Sequence, residues 1–418
     1  MFNKLSFLIS TALCLLPGAL AWGAAGHEIV ATLAQMHLHP SVLPVLCDLL
    51  SPPDGNEAAP FARPCHLAPI AAWADRVKRE PQYRYTSVLH YVNAVDDSPA
   101  ETCAFPGPHG WQGSAHQNVL GAVRNTTGLL QRFVQDGAGD LADAADALKF
   151  LVHYVGDMHQ PLHLTGRLRG GNGARVRFEG RITSLHSVWD GLLLAQSLRS
   201  LPYNYTRPLP GSRGRAVEAH LRDTIYDPFI RRVMWEGFGL DDAGRFGDVS
   251  EWLACPAQDG EPPSLLQRVQ TVLELAGNGS DGSEEDDEVL CPHAWTEAIH
   301  ELNCALPVWP PELEDAFVAF ERAEAEFGYG TVDEKAEAEL GGDAMDEQAS
   351  QTSSSYPPPV VLPASYSARV HDQWVLERLM AMAGIRLAGI LNGIVLGGEA
   401  AGSLVVVDPI IEASLALV

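Results

Sequence analysis

Residues 151–163 read LVHYVGDMHQPLH, which joins an apolar helical pattern to three candidate metal-ligating side chains. His153 and Asp157 are four residues apart, so on a helix they share one face and can converge on a metal ion. Pro161 cannot continue a helix, which lets His163 turn inward from a separate segment. Imidazole and carboxylate groups together are typical ligands of Zn²⁺. The stretch therefore predicts a helix that carries part of a metal site.

A second pair, His186 and Asp190 in the sequence LHSVWD at 185–190, repeats the four-residue spacing. Such a pair in isolation is more often a surface interaction or an N-cap than a metal site. Two pairs, with His163 between them in the chain, bring metal binding level with these alternatives.

Apolar residues recur at helical spacing in four stretches, which predicts a mainly α-helical protein. The four patterns are Ile29/Leu33/Met36, Val119/Val123/Leu130/Phe133, Leu141/Ala145/Leu148/Leu151/Val155 and Val375/Leu379/Met382/Leu387/Ile390/Ile394. The glycine-rich run at 170–173 breaks the helical pattern, and residues 175–181 alternate like a short hairpin. We expect this hairpin to be a minor β element.

The chain has 418 residues, 46% of them hydrophobic, and a mean hydropathy of -0.02, so it can bury a large core. We expect one domain over residues 22–396, interrupted by insertions at about 237–290 and 324–363. The first contains the acidic run SEEDDE at 283–288, and the second is rich in Glu, Ala, Gly, Ser and Pro. Both compositions are typical of solvated loops.

The first 21 residues are typical of a secretory signal, with a basic Lys4, an apolar run and small residues before a cleavage point after Ala21. The apolar run is shorter than the roughly 20 residues of a membrane-spanning helix. Cleavage would make Trp22 the first residue and leave six cysteines, an even number that favours disulfides in an oxidising compartment. The tail at 397–418 is apolar but is interrupted by charged residues and a proline, unlike a lipid-anchor signal.

The net charge of -25 has the wrong sign for a protein that grips nucleic acid through a broad basic surface. Any phosphate ligand would need local positive charge. Bound metal ions can supply it, since they are usually the largest charges in such a site.

The sequence resembles the S1/P1 nuclease family in a series of motifs that is specific as an ordered set. The motifs are WGAAGHE at 22–28, WAD at 73–75, HYVN at 90–93, GDMHQPLH at 156–163, RGGNG at 169–173, LHSVWD at 185–190 and AGIRLA at 383–388. The resemblance implies a mainly helical, phospholipase C/P1 nuclease-like fold with three zinc ions. Each ion would have its own set of ligands: Asp75, His90 and His153; His163, His186 and Asp190; and His27, Asp157 and the free amine and carbonyl of Trp22.

The resemblance also implies a secreted, monomeric endonuclease without stable membrane association. It would hydrolyse single-stranded DNA and RNA to 5′-phosphate products and act on 3′-nucleotides. Asp157 and Lys78 would be catalytic, although a solvated surface lysine is the alternative at 78. Tyr91, Asn93 and Asn172 would bind substrate, with a buried tyrosine as the alternative at 91.

Two alternative functions share the same ligands: a zinc-dependent phospholipase C, and a secreted zinc-binding protein that has lost turnover. The family's late Trp/Cys element resembles the segment with Trp295 and Cys304, which implies a disulfide from Cys304 to Cys103. Cys255 and Cys291 bracket much of the first insertion and would pair, leaving Cys47 with Cys65.

Overall fold

The computed structural model describes residues 22–50, 65–240, 243–255, 286, 289–305, 308–316 and 358–397. Within these ranges the protein is mainly helical, as the periodicity predicts. Ten helices lie in the first part of the chain: α1 (Gly23–Met36), α2 (Val42–Leu50), α3 (Ala68–Ala71), α4 (Trp73–Val77), α5 (Val119–Asp136), α6 (Leu141–Asp157), α7 (Leu185–Ser187), α8 (Leu193–Ser200), α9 (Gly211–Glu218) and α10 (Asp227–Arg232). Three more follow: Pro292–His300, Ala364–Asp372 and the closing helix, Val375–Leu396.

Shorter helical turns connect these elements and carry several of the predicted site residues. The 3₁₀ turns are Arg84–His90, Pro161–Leu164, Tyr203–Thr206, Val249–Leu253 and Glu301–Asn303. The chain also makes π-helical turns at Val188–Leu192 and Val233–Gly237. Such π turns often occur at functional sites, and the first of them includes Asp190.

Helices α5 and α6 form a hairpin whose ends are set by local chemistry. The side chain of Asn118 accepts hydrogen bonds from the first turn of α5, and Asp140 does the same for α6. Gly137 ends α5 in the left-handed conformation, with φ of 64°. The inner face of α6 buries Leu148 and Leu151 completely, at about 1.5 to 3 kcal/mol for each side chain. The hairpin is thus a rigid support for His153 and Asp157.

The closing helix packs along α1, and both helices are largely buried. By length and composition it is the described helix that could cross a membrane, but most of its residues are covered by the rest of the protein. Arg386, near its middle, donates to the carbonyls of Trp252 and Trp295 and to Nε2 of His159. These bonds connect the closing helix to the end of α6 through His159.

The small sheet contains the predicted hairpin and one strand that was not predicted. Strands β1 (Arg175–Phe178) and β2 (Arg181–Ser184) pair antiparallel, and β3 (Val360–Val361) adds parallel to β1. The expectation of a solvated loop over 324–363 is therefore wrong at its end. A two-residue strand is too short to show an alternating pattern, so only its pairing with β1 reveals it.

The first expected insertion also begins later than Gly237. Leu240, Phe246 and Leu253 are buried, and the Val249–Leu253 turn packs against the closing helix. The parts of the two insertions at 256–285 and 317–357 lie outside the described residues, as do the expected signal at 1–21 and nearly all of the tail at 397–418.

The three disulfides have the predicted partners: Cys47–Cys65, Cys103–Cys304 and Cys255–Cys291. The second joins segments 201 residues apart in the chain. Asn303, beside it, donates to the carbonyl of Pro161, so this bridge supports the turn that follows α6.

The contact between α1 and the closing helix depends on Gly384, where an added Cβ would lie 2.8 Å from Cβ of Leu33 and 3.2 Å from the backbone nitrogen of Ala34. We expect Gly384→Ala to lower the free energy of unfolding by about 1 to 3 kcal/mol through overpacking. Gly128→Ala on α5 is the control, because its Cβ would meet only the end of the Arg132 side chain at 3.5 Å. It should raise stability by up to about 1 kcal/mol. Denaturant unfolding of both variants measures this, and equal stability would contradict the packing argument.

Candidate metal centre

The predicted metal ligands come from six segments that meet at one end of the α6 helix. Trp22 immediately precedes α1, which carries His27, and α4 carries Asp75. His90 ends the Arg84–His90 turn, α6 carries His153 and Asp157, and His163 lies in the following turn. His186 lies in α7 and Asp190 in the π turn after it. The His186 side chain is 16% exposed, whereas the other seven histidine and aspartate side chains are buried.

Asp157 lies at the middle of this centre and faces four histidines. Its Oδ2 is 2.8 Å from Nδ1 of His90 and 3.1 Å from Nε2 of His153. Its Oδ1 is 3.4 Å from Nε2 of His27 and 3.4 Å from Nδ1 of His163. A fully buried carboxylate is costly unless positive charge or hydrogen bonds compensate it. The four imidazoles are the groups placed to do so.

Asp75 lies on the other side of the same cluster. Its Oδ1 is 3.6 Å from Nε2 of His153 and 3.8 Å from Nδ1 of His90. The same oxygen accepts a 2.7 Å hydrogen bond from the ammonium of Lys78, whose side chain is 25% exposed. Lys78 therefore connects the buried centre to solvent.

His163, His186 and Asp190 form a neighbouring group. Nε2 of His186 is 3.0 Å from Oδ2 of Asp190, and Nε2 of His163 is 4.0 Å from Oδ1. The amide of Gln160 donates to Oδ1 of Asp190 at 2.6 Å, while its Oε1 accepts from the backbone of Leu162. Gln160 therefore fixes both Asp190 and the turn that carries His163, a role that sequence reasoning missed although Gln160 lies inside the motif.

Three of the histidines are oriented by backbone carbonyls behind them. Nδ1 of His153 donates to Ala71, that of His163 to His90, and that of His186 to Gly170, at 2.7 to 2.8 Å. Because a carbonyl only accepts, each Nδ1 carries a proton and each Nε2 is left to face a carboxylate. Metal-binding histidines are usually held in this way.

Several buried polar atoms of the centre have no hydrogen-bond partner, which bears on whether these residues fit a metal ion. Buried atoms lacking one, among the described residues, include Nδ1 and Nε2 of His27, Nε2 of His90, Nε2 of His163, Oδ2 of Asp75 and Oδ1 of Asp157. An unsatisfied buried polar atom costs about 1 to 3 kcal/mol, so six in one cluster are poorly explained by packing alone. Nitrogen and carboxylate oxygen donors suit Zn²⁺, so the residues fit the ion.

The pKa shifts of Asp75, His90 and His163 favour ligand binding at neutral pH, whereas that of His186 opposes it. Burial opposes ionisation of Asp75, but the charges of His153 and Lys78 outweigh it and lower its pKa to about 2. Burial lowers the pKa of His90 to about 4 and also lowers that of His163. For His186, burial acts downward, but the neighbouring Asp190 raises the pKa above its usual range. Metal must displace a proton there, so binding weakens on acidification.

The groups of neighbouring ligand atoms agree only partly with the three ligand sets that the family resemblance implies. His163, His186 and Asp190 form one group, as expected. His27 instead groups with Asp75 and His153, and His90 with His153 and Asp157. A further group, Cys103, His300 and Cys304, has no free thiolate because its cysteines are bonded to each other.

The predicted substrate residues surround the centre with different exposure. Tyr91 is 40% exposed, so the alternative of a buried tyrosine is wrong. Asn93 is partly buried, and its amide nitrogen is placed to donate to the carbonyls of Val92 and Thr165. Asn172 is exposed, and its amide donates to the carbonyl of Arg169. Tyr91 and Asn172 are therefore the exposed members of this set, and Lys78 reaches solvent in part.

The fold and the centre define a class: helical proteins that gather histidine and aspartate side chains into a buried metal site. The family model described as S1/P1 Nuclease matches residues 22–229. Endonuclease 5 of Arabidopsis thaliana is 32% identical over 257 residues, covering 60% of this chain and 74% of that protein. The chain belongs to the S1/P1 nuclease family, which is zinc-dependent.

Other relatives show similar identity over shorter regions. Endonuclease 3 of Arabidopsis thaliana is 33% identical over 206 residues, covering 49% of this chain and 64% of that protein. Nuclease P1 of Penicillium citrinum is 34% identical over 170 residues, covering 40% of this chain and 57% of the relative. The chain thus spans less than two thirds of the length of these two relatives.

Gly156 leaves room for the His27 imidazole, since a Cβ added at Gly156 would lie 2.5 Å from Nδ1 of His27. We expect Gly156→Ala to displace the imidazole and weaken zinc binding by roughly 10- to 100-fold, as changes around metal ligands do. The control is Gly191→Ala, next to Asp190, where a Cβ would meet nothing within 4 Å. Zinc titration with a competing chelator compares the two variants. Equal zinc affinity in both would contradict this role for Gly156.

Proposed function

We propose that this protein is a secreted, zinc-dependent endonuclease that hydrolyses single-stranded DNA and RNA to 5′-phosphate products and also acts on 3′-nucleotides. The observation that carries the proposal is the cluster of unpaired imidazole and carboxylate atoms around Asp157. Membership of the S1/P1 nuclease family supports the same chemistry. The named relatives are endonucleases and nucleases.

Nine residues would hold three zinc ions: Trp22, His27, Asp75, His90, His153, Asp157, His163, His186 and Asp190. Zinc bound there supplies Lewis acidity toward phosphate oxygens and lowers the pKa of water. Asp157 faces His27 and His163 with one oxygen and His90 and His153 with the other, so it is placed to border all the groups. Its negative charge also keeps their imidazoles aligned.

Lys78 and Tyr91 are proposed to act on the substrate directly. The Lys78 ammonium lies at the solvent edge of the centre, where it can attract a phosphate anion while it stays bonded to Asp75. The exposed Tyr91 ring follows His90 and offers a face for one base, worth about 1 to 3 kcal/mol. Asn93 and Asn172 are the other proposed substrate contacts.

Three disulfides support a secreted protein, because such bonds persist in oxidising compartments. Cleavage after Ala21 would give Trp22 a free amine. Trp22 is buried, and its carbonyl accepts from the backbone of Gly26, so the start of α1 is firmly placed. We propose that the mature protein acts as a monomer.

The function is tested with the purified mature protein on single-stranded DNA, RNA, 3′-AMP and phosphatidylcholine. We expect hydrolysis of the first three, abolished by chelator and restored by zinc. Asp157→Asn should reduce it by at least about 100-fold, because loss even of an outer partner of metal ligands costs roughly 10- to 100-fold.

The control is Asp143→Asn, at the exposed start of the same helix, which should retain wild-type turnover. Hydrolysis of phosphatidylcholine alone would indicate a phospholipase. Zinc binding without any turnover would indicate a scavenging protein, and either result would overturn the proposal.

One extra residue ahead of Trp22 tests the proposed ligand role of the N-terminus. The extension converts an amine, with an ordinary pKa of about 7.7 to 8.0, into an amide nitrogen, which is a poor ligand. We expect two zinc ions to remain tightly bound, the third to be lost, and hydrolysis of single-stranded DNA to slow strongly. Metal analysis and steady-state kinetics measure this. Three tightly held zinc ions with unchanged turnover would show that Trp22 serves packing alone.

A further inference from the structure

Exposed apolar side chains cluster next to His90. Eight large hydrophobic side chains are exposed among the described residues, and three of them lie within residues 85–91. They are Tyr85 at 68%, Val88 at 42% and Tyr91 at 40% exposure. Single exposed apolar residues need no explanation, but a cluster at the rim of a site indicates a binding surface.

The Arg84–His90 turn explains why these residues form a row. In a 3₁₀ helix, side chains three residues apart eclipse each other, with a rise of about 2.0 Å per residue. Tyr85 and Val88 therefore lie on one outward face about 6 Å apart along the axis, and Tyr91 follows at the helix end. Thr86 and His90 point inward and are buried. The row thus starts beside the metal centre and leads away from it.

The row rests on a rigid base. The ring of Tyr83 packs edge-on against Trp73 and Phe150, with centroids 5.3 and 6.0 Å away, and its hydroxyl donates to Asp146. The hydroxyl of Thr86 donates to the carbonyl of Tyr83 at 2.7 Å. These contacts hold the backbone of the turn that carries the row, so the turn itself does not have to become ordered when a ligand binds.

The local charge is opposite to that of the whole chain. Between residues 76 and 91 there are four basic residues, Arg76, Lys78, Arg79 and Arg84, and one acidic residue, Glu80. The segment therefore carries a formal charge of +3 in a protein of net charge -25. Arg76, Arg79 and Arg84 are exposed. Aromatic faces beside a basic strip form the usual platform for single-stranded nucleic acid.

We propose that Tyr85 and Val88 extend the base contact of Tyr91 into a stacking track for the nucleotides of a single strand beyond the scissile phosphate. The proposal rests on the proposed nuclease function. Arg84, next to Tyr85 in the chain, neutralises backbone phosphate along the track. The track makes the enzyme prefer long strands, because a mononucleotide reaches only Tyr91 and the metal centre.

The test compares Tyr85→Ala, Tyr85→Phe and a control, Tyr203→Ala. Tyr203 is 70% exposed, close to the 68% of Tyr85, but it lies in a different turn under the Arg207 guanidinium. Each zinc-loaded variant is assayed on a 12-nucleotide single strand and on 3′-AMP. We expect Tyr85→Ala to raise KM for the 12-mer about tenfold with little change in kcat, and to leave 3′-AMP hydrolysis unchanged. Tyr85→Phe and Tyr203→Ala should behave as wild type.

Binding separates failure of the track from failure of the nuclease function. Fluorescence anisotropy measures the Kd of each variant for a hydrolysis-resistant phosphorothioate 12-mer. Tyr85→Ala should weaken binding about tenfold, and Arg84→Gln should make the slope of log K against log salt shallower by about 0.7, one phosphate contact. If the wild type shows no cleavage while these binding changes still appear, the nuclease proposal fails and the track stands.

Two results would overturn the track. One is wild-type KM and Kd for the 12-mer in Tyr85→Ala while the wild type cleaves DNA. The other is an equal loss on the 12-mer and on 3′-AMP, which would show that Tyr85 only positions His90.

Discussion

The rest of the structure depends on the burial of the Asp157 carboxylate among four imidazoles. An ionised carboxylate in a protein interior costs several kcal/mol unless charge or hydrogen bonds compensate it. Here the compensating groups arrive from α1, from the Arg84–His90 turn, from α6 itself and from the turn after α6. The Nδ1 atoms of His153 and His163 donate to backbone carbonyls. Nε2 of His90 and both ring nitrogens of His27 have no hydrogen bond. A bound cation would stabilise this cluster of carboxylates and lone-pair nitrogens, which is the property of a metal site.

The scaffold keeps these groups in place through contacts far from the chemistry. Gly384 lets the closing helix approach α1, and Gly156 lets His27 lie against α6. Arg386 joins the closing helix to His159 at the end of α6. The Cys103–Cys304 bridge lies beside Asn303, which holds the carbonyl of Pro161. Small residues and long-range bonds therefore fix the distances within the centre. A shift of α1 or α6 would separate the ligands of the metal centre.

The net negative charge of the chain and the basic strip at residues 76–84 act on a polyanion in opposite ways. A net charge of -25 repels polyanions in general, so a polyanion is attracted where the local sign is reversed. The strip around Arg76, Arg79 and Arg84 provides that reversal next to Lys78 and the metal centre. On the proposals above, charge directs the strand to the site, exposed rings hold its bases, and the buried ligands carry the chemistry.

The sequence by itself determined the long helices, the β-hairpin and the two His/Asp pairs with His163, because periodicity, turn residues and motif spacing are local properties. His27, Asp75 and His90 were assigned only through the family resemblance. The family resemblance implied the Cys103–Cys304 bridge, the position of the first insertion indicated Cys255–Cys291, and Cys47 and Cys65 remained as the third pair. Only the tertiary structure decided that His27 lies with Asp75 and His153, that Gln160 holds Asp190, that β3 pairs with β1 and that Tyr85 continues the row from Tyr91. Each of these depends on the distance between segments remote in the chain or on the direction in which a side chain leaves the surface, and packing sets both.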